Sequence, residues 1–295
     1  MSTKPKILIT GATGLIGKEL YAPLQETEFD IYALTIDKPH PPFDYHWVDA
    51  NLFDEHHIAE IMEQLRPTHL LNLAWATTGD YLKSDINYSF LSAGINLARA
   101  FAKNGGQRAV FAGSCFEYKF KDTPLKETDD LDVGKTTYTF CKNTLREVAK
   151  RIFDAAGVGF AYGRIFYVYG HGEAPTRLTA SVISKIRNGE RVEIKAGPLK
   201  KDYIYTRDIA NAFVALTTSN VVGPVNLCTG KAISIRDYVT TIANKLGRPE
   251  LLDFSDDFGK QPPLIVGDNT RLIKEVGYQP RYNLEQALSK ILKDN

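Results

Sequence analysis

The sequence predicts an α/β fold, a doubly wound parallel sheet followed by a smaller C-terminal α/β unit. Three observations predict it. Short apolar runs alternate with helical patterns through the first half of the chain, the first of those runs leads straight into a glycine-rich turn, and from about Gly170 the alternation lapses. Alternating strand and helix signals are what β-α-β units produce, because parallel neighbours need a crossover helix and both faces of their sheet are covered.

The strand candidates are Ile7 to Thr10, Ile31 to Thr35, His46 to Asp49, His69 to Ala74, Ala109 to Ala112 and Phe160 to Ile165. Between them, Ile58, Ile61, Met62 and Leu65 share one helical face before Pro67 stops the turn. Pro23 lies inside the first helical segment and predicts a kink or a short helix there. These six strands place residues 1–169 in one unit. Beyond it, turn signals at Gly197-Pro198, Gly223-Pro224 and Pro262-Pro263 break 170–295 into short elements, of which about 201–230 are expected to return to the first unit. Ser234-Ile-Arg-Asp237 predicts the start of a helix that runs to Leu246 and stops at Gly247.

With 295 residues, 43% of them hydrophobic, the chain can bury about three quarters of its unfolded surface. The net charge of +1 arises from 36 basic and 35 acidic residues without a run of like charge, which argues against nucleic acid or a membrane surface as partner. Cys115, Cys141 and Cys228 are widely spaced and odd in number, so neither a metal site nor a disulfide framework is expected. The six histidines, including His56, His57 and His171, likewise form no ligand spacing. The apolar run Ile7 to Thr10 is too short for a signal-peptide core and no stretch of about 18 apolar residues follows, so the expected setting is soluble and cytoplasmic.

The strand Ile7 to Thr10 opens into Gly11-Ala-Thr-Gly14-Leu-Ile-Gly17 and then a helical segment. Side chains at the glycines would hold a pyrophosphate away from the backbone amides and the helix N-terminus; the pattern alone also fits an ordinary glycine-rich turn, but its place after the first strand favours the turn of a dinucleotide-binding Rossmann fold. In such a fold the second strand should end near a carboxylate that binds the adenosine ribose. Here Thr35 stands at that place and Asp37 comes two residues later, so the choice between NAD and NADP stays open. Asp49 ends the third strand, where it could reach the adenine amino group or cap the next turn.

Tyr138 and Lys142 lie four residues apart, hence on one helical face, where an ammonium can stabilise a phenolate. With 15 tyrosines in the chain such a spacing alone is weak, but Ser114 stands at the carboxyl edge of the sheet, where open α/β sheets bind ligands. The Ser114 hydroxyl and the Tyr138 phenol could then hold a substrate carbonyl while Lys142 holds the nicotinamide ribose.

These residues, with Asn72-Leu-Ala-Trp75, Gly163-Arg-Ile-Phe-Tyr-Val-Tyr-Gly170, Lys201-Asp-Tyr-Ile-Tyr205 and Val276-Gly-Tyr-Gln-Pro280, resemble the extended short-chain dehydrogenase/reductase family, in its branch of nucleotide-sugar epimerases, dehydratases and 4-ketoreductases. The resemblance covers nearly the whole chain. It implies Ser114, Tyr138 and Lys142 as catalytic residues. It implies cofactor contacts at Gly11, Thr13, Gly14, Leu15, Ile16, Thr35, Asp49, Ala50, Leu73, Ala74, Trp75, Arg164 and Phe166, and a C-terminal lid that closes over a nucleotide diphosphate. Substrate contacts are expected at Cys115, Glu117, Tyr167 and Lys201. Tyr167 stands where many relatives have asparagine, and Lys201 where the usual residue is arginine, so a point charge replaces a planar fork.

Dehydratases of this family carry an Asp-Glu pair directly after the catalytic hydroxyl residue, whereas Cys115 and Phe116 occupy those places. The 3,5-epimerising reductases carry cysteine where Phe116 stands. The expected activity is therefore NAD(P)-dependent reduction of a 4-keto-6-deoxy sugar nucleotide with Tyr138 as general acid. The alternatives are a C4 epimerase with tightly held NAD and a non-catalytic dinucleotide sensor. Thr35 and Lys38 lean the cofactor towards NADPH. A homodimer is expected through helices spanning about Ile86 to Lys103 and Thr136 to Ala156, as is common in the family.

Overall fold

The alternating apolar runs form the strands of the central sheet in a computed structural model that describes residues 4–38, 40–195, 199–255 and 262–293. The first half comprises β1 (Lys6–Thr10), α1 (Tyr21–Gln25), β2 (Asp30–Thr35), β3 (His46–Asp49), α2 (Glu55–Leu65), β4 (His69–Asn72), α3 (Ile86–Lys103), β5 (Arg108–Ser114), α4 (Thr137–Ala156) and β6 (Gly159–Ile165). There follow β7 (Tyr167–Tyr169), α5 (Leu178–Arg187), β8 (Val192–Ile194), β9 (Lys200–Lys201), β10 (Tyr203–Tyr205), α6 (Thr206–Thr218) and β11 (Gly223–Leu227). The chain ends with β12 (Ile233–Ser234), α7 (Ile235–Lys245), β13 (Leu252–Phe254), β14 (Leu264–Ile265), α8 (Thr270–Lys274) and α9 (Leu284–Lys293).

Seven strands pair in the order β11-β6-β5-β4-β1-β2-β3, every neighbour parallel. The six expected strands are all present, with ends that differ by a residue or two. The seventh, β11, comes from the segment expected to return to the first unit and is not among the strand candidates. Its Pro224 is tolerable because β11 is an edge.

The alternation of side chains along β1 sends Ile7 and Ile9 to one core, with Leu24 and the α6 residues Ile209 and Phe213, and Leu8 to the other, with α2, α3 and α4. Both cores are closed to solvent, and each fully buried aliphatic side chain contributes about 2 kcal/mol. α2 follows its sequence signals: Asp54 caps it by accepting from the His57 nitrogen, and Ile58, Ile61 and Met62 are buried. The expected effect of Pro23 is also seen, since the first crossover is a single 3-10 turn, Gly17–Leu20, followed by only five α-helical residues. A third core, built on α5, α7 and α9, belongs to the C-terminal unit. There Ser234 caps α7, accepting from the Asp237 nitrogen at 2.9 Å. Gly247 follows the helix with φ +71°. The expected Gly197-Pro198 turn lies outside the described residues. Among the described residues no helix is long and apolar enough to cross a membrane.

Candidate active site

The carboxyl edges of β1, β4, β5 and β6 open on one cavity of about 260 Å³. Its floor is the glycine turn. Added Cβ atoms show how closely the turn is folded: on Gly17 one would lie 2.1 Å from the Gly11 carbonyl oxygen, and on Gly11, at φ +75°, 2.8 Å from the Ala74 nitrogen. On Gly14, which is exposed, it would meet only the Gly11 oxygen at 3.3 Å. Bare backbone thus faces the cavity, and the donor chemistry fits a dinucleotide pyrophosphate.

Ser114 ends β5 and caps the 3-10 turn Cys115–Glu117, its Oγ accepting from the Phe116 nitrogen at 3.2 Å. With that lone pair engaged, the hydroxyl proton remains free to donate, and the Tyr138 phenol lines the same cavity. Tyr138 is the second residue of α4, whose N-cap Thr136 accepts from the Thr139 nitrogen at 3.1 Å. Burial raises the Tyr138 phenol above its ordinary pKa, with the Ser114 hydroxyl opposing. One turn on, Lys142 donates from Nζ to the Ala112 carbonyl at 2.8 Å and lies 3.9 Å from the centroid of the Trp75 ring. Burial pushes its pKa down to about 7, against a contrary pull from Glu117. The expected lowering of the phenol by the ammonium is therefore not found: burial dominates, and Tyr138 keeps its proton at neutral pH.

Ser114, Tyr138 and Lys142 line the same cavity as Gly11, Gly14, Leu15, Ile16, Leu73, Trp75, Phe166, Cys115 and Tyr167. Thr13 is half-buried in the turn, and Ala74 donates its nitrogen to Thr10 Oγ1 at 3.3 Å, just behind the wall. Thr35 and Ala50 are buried at the ends of β2 and β3; Thr35 Oγ1 accepts from the Asp37 nitrogen. Asp49 pairs at the surface with Lys38 Nζ at 2.9 Å and His40 Nε2 at 2.6 Å rather than facing the cavity. Lys201 lies behind the wall, its Nζ 5.4 Å from the centroid of the Tyr167 ring, and burial lowers its pKa to about 8.

Two further expectations are corrected. Glu117, expected to touch substrate, is fully buried and turned into the protein, where it accepts from the Ser114 nitrogen at 2.7 Å and from Tyr162 Oη at 3.0 Å. Arg164, expected to touch cofactor, is its ion-pair partner at 3.3 Å and also donates to the Glu127 carbonyl. Each satisfies the other because neither charge could be buried alone. Conversely, Thr77, Tyr81 and Arg177 line the cavity and were not singled out. The only hint for the first two is their place after β4, on the ligand-binding edge of the sheet.

A parallel doubly wound sheet with a glycine turn at its carboxyl edge and a serine, a tyrosine and a lysine in the cavity beside it defines the class, a dinucleotide-binding α/β protein with the groups for carbonyl chemistry. The chain belongs to the NAD dependent epimerase/dehydratase family, whose profile matches residues 7–228. It is 25% identical to the dTDP-4-dehydro-6-deoxyglucose reductase of Escherichia coli over 98% of this chain and 97% of that protein. It is also 25% identical to the GDP-L-colitose synthase of Yersinia pseudotuberculosis, over 97% and 96%. The fold superposes on the UDP-glucose 4-epimerase of Thermotoga maritima with a TM-score of 0.88 at 18% identity, covering 98% of this chain and 99% of that one.

Proposed function

We propose that the protein reduces a 4-keto-6-deoxy sugar nucleotide with a nicotinamide cofactor. The observation that carries this reading is the chemistry of the cavity wall: Ser114 and a protonated Tyr138 are present, and among the described lining residues there is no carboxylate. A bound nicotinamide would supply hydride. Ser114 holds the ketone oxygen, Tyr138 gives it a proton as the alkoxide forms, and Lys142 holds the ribose. Elimination of water needs an acid and a base beside these groups, and with Glu117 locked to Arg164 nothing on the described wall provides them. Cys115 is also ill suited to carry a proton, since burial raises its thiol well above the ordinary value. Cys115 and Phe116 make that wall apolar, which suits a sugar methyl in place of a hydroxymethyl group.

We favour NADPH, because Thr35 leaves no carboxylate to repel a 2′-phosphate and Lys38 lies beside it, although it must leave Asp49. The reading is completed by a cytoplasmic homodimer that pairs α3 and α4 of two copies. Tyr88 and Phe140 are about half exposed on those helices. The experiment is a screen of 4-keto sugar nucleotides with NADH and NADPH, following loss of the reduced-nicotinamide absorbance. One cofactor consumed per product, faster with NADPH, supports the proposal. Retained cofactor with product formed and no net oxidation supports C4 epimerisation instead, and cofactor binding without turnover of any sugar nucleotide supports a sensor.

A further inference from the structure

The loop 76–85 between β4 and α3 is a strap over the start of α4. Tyr138 donates its backbone nitrogen to the Leu82 carbonyl at 3.1 Å. Asn87, fully buried, donates Nδ2 to the carbonyls of Tyr81 and Ser84 at 2.6 and 2.8 Å, and accepts at Oδ1 from Trp75 Nε1. The Tyr81 ring meets the Tyr138 ring edge-on, with centroids 5.2 Å apart and planes at 89°. From the opposite wall, Arg177 at the start of α5 reaches across the cavity. Its Nη2 donates to the Thr77 carbonyl at 2.8 Å, and its guanidinium lies 5.8 Å from the centroid of the Tyr81 ring. One side chain from the C-terminal unit thereby holds the first half of the strap, at Thr77 and at Tyr81. The ring held by that grip is one of two that meet the Tyr138 ring edge-on, the other being Trp75 at 6.1 Å.

We propose that Arg177, acting through Tyr81, is a positioning residue for the Tyr138 phenol, so that the orientation of the proton donor depends on the C-terminal unit being closed on the 76–85 strap. This rests on the reading of Tyr138 as the group that protonates the ketone. A guanidinium suits the role because it can donate to a carbonyl while its delocalised plane lies against an aromatic ring, which an ammonium cannot do with the same geometry. The coupling is also economical in distance: Arg177, Tyr81 and Tyr138 are consecutive contacts with no intervening residue.

Two measurements test it. The first needs no substrate. In Arg177→Gln, amide hydrogen exchange should quicken over residues 77–85 and also over 136–142 at the start of α4, while α2 stays as in wild type. Quickening confined to the neighbourhood of residue 177, or none at 136–142, overturns the coupling whether or not a nucleotide sugar is the substrate. The second is kinetic. Misplacing a reacting group by about 1 Å can cost up to about 100-fold, so Arg177→Gln and Tyr81→Leu should each lower kcat by about tenfold or more. KM should stay within about threefold, and Arg177→Lys should recover part of the rate. Because both residues act along one path, the double variant should be little slower than the slower single one. A raised KM with unchanged kcat would make Arg177 a ligand of the substrate anion instead, and losses that multiply in the double variant would make the two residues independent; either result overturns the proposal. If wild type turns over no sugar nucleotide, the functional reading fails while the exchange result still decides the coupling.

Discussion

At the scale of single residues, the site is governed by the cost of burying ionisable groups. Tyr138 is buried and retains its proton, which is the state a general acid needs at the start of a ketone reduction. Tyr138→Phe should therefore fold and bind cofactor much as wild type does and lose about 100-fold or more in turnover, since a positioned acid is typically worth that much. Steady-state kinetics beside a cofactor titration checks this, and wild-type turnover in the variant would remove Tyr138 from the mechanism. Burial pushes the Lys142 amine in the folded chain down to about 7, against an ordinary 10.5. Between those values the unfolded chain binds more protons than the folded one, so Lys142 makes stability rise with pH from about 7 to 10.5, and below that window its burial carries the full cost. Lys142→Met removes this cost. In calorimetry without cofactor it should melt above wild type at neutral pH, with the gap narrowing towards pH 10; a gap that does not change with pH would contradict the burial of a charged amine here. The same variant should lose cofactor affinity and rate. That Ser114, Tyr138, Lys142 and the glycine turn would share one cavity was legible in the sequence because of their spacing and their place after strands. Glu117 was misjudged although the sequence held the clue: Ser114-Cys-Phe-Glu117 is a capping-box pattern, and in such a pattern the carboxylate turns back to the N-cap backbone rather than outward. Arg164 gave no such clue, since its pairing with Glu117 exists only after β5 and β6 are side by side.

At the scale of elements, β5 and the turn after it form a rigid mount for Ser114. Glu117 ties together the Ser114 nitrogen, Tyr162 Oη on β6 and the Arg164 guanidinium, all out of water. Glu117→Gln leaves Arg164 with an uncompensated buried charge and should cost about 3 kcal/mol, read as a lower melting temperature. It should slow turnover as well by loosening Ser114. A variant as stable as wild type would show that the pair does not hold the mount. Strands were legible wherever a run of apolar residues was long enough to fill both cores. β11 was missed because Gly223-Pro-Val-Asn-Leu227 lacks such a run and carries a proline, which only an edge position permits. The loop 76–85 was beyond sequence reading for a different reason. Its functional side chain, Tyr81, is defined by what it touches, a phenol in α4 and a guanidinium at α5, and both contacts are long-range.

At the scale of the whole molecule, the parallel order of seven strands gathers the glycine turn, Ser114 and the Tyr138 helix onto one edge, and the C-terminal unit closes that edge from the far side. The helices α3 and α4 pack closely together, and Gly94 makes this possible: a Cβ there would come within 2.7 Å of the Leu145 side chain. The proposed pairing of their outer faces between two copies predicts twice the chain mass in light scattering at micromolar concentration, and a monomer mass would sink it. The central claim is that the site reduces a ketone with one proton donor and no second acid or base acting on the neighbouring carbons. Its most direct test is the reaction run in heavy water with a 4-keto sugar nucleotide, counting cofactor oxidised and locating deuterium in the product. The account predicts one cofactor oxidised per product and no deuterium bound to carbons 3 and 5 of the sugar. Deuterium at either position, or product formed without cofactor oxidation, would contradict it.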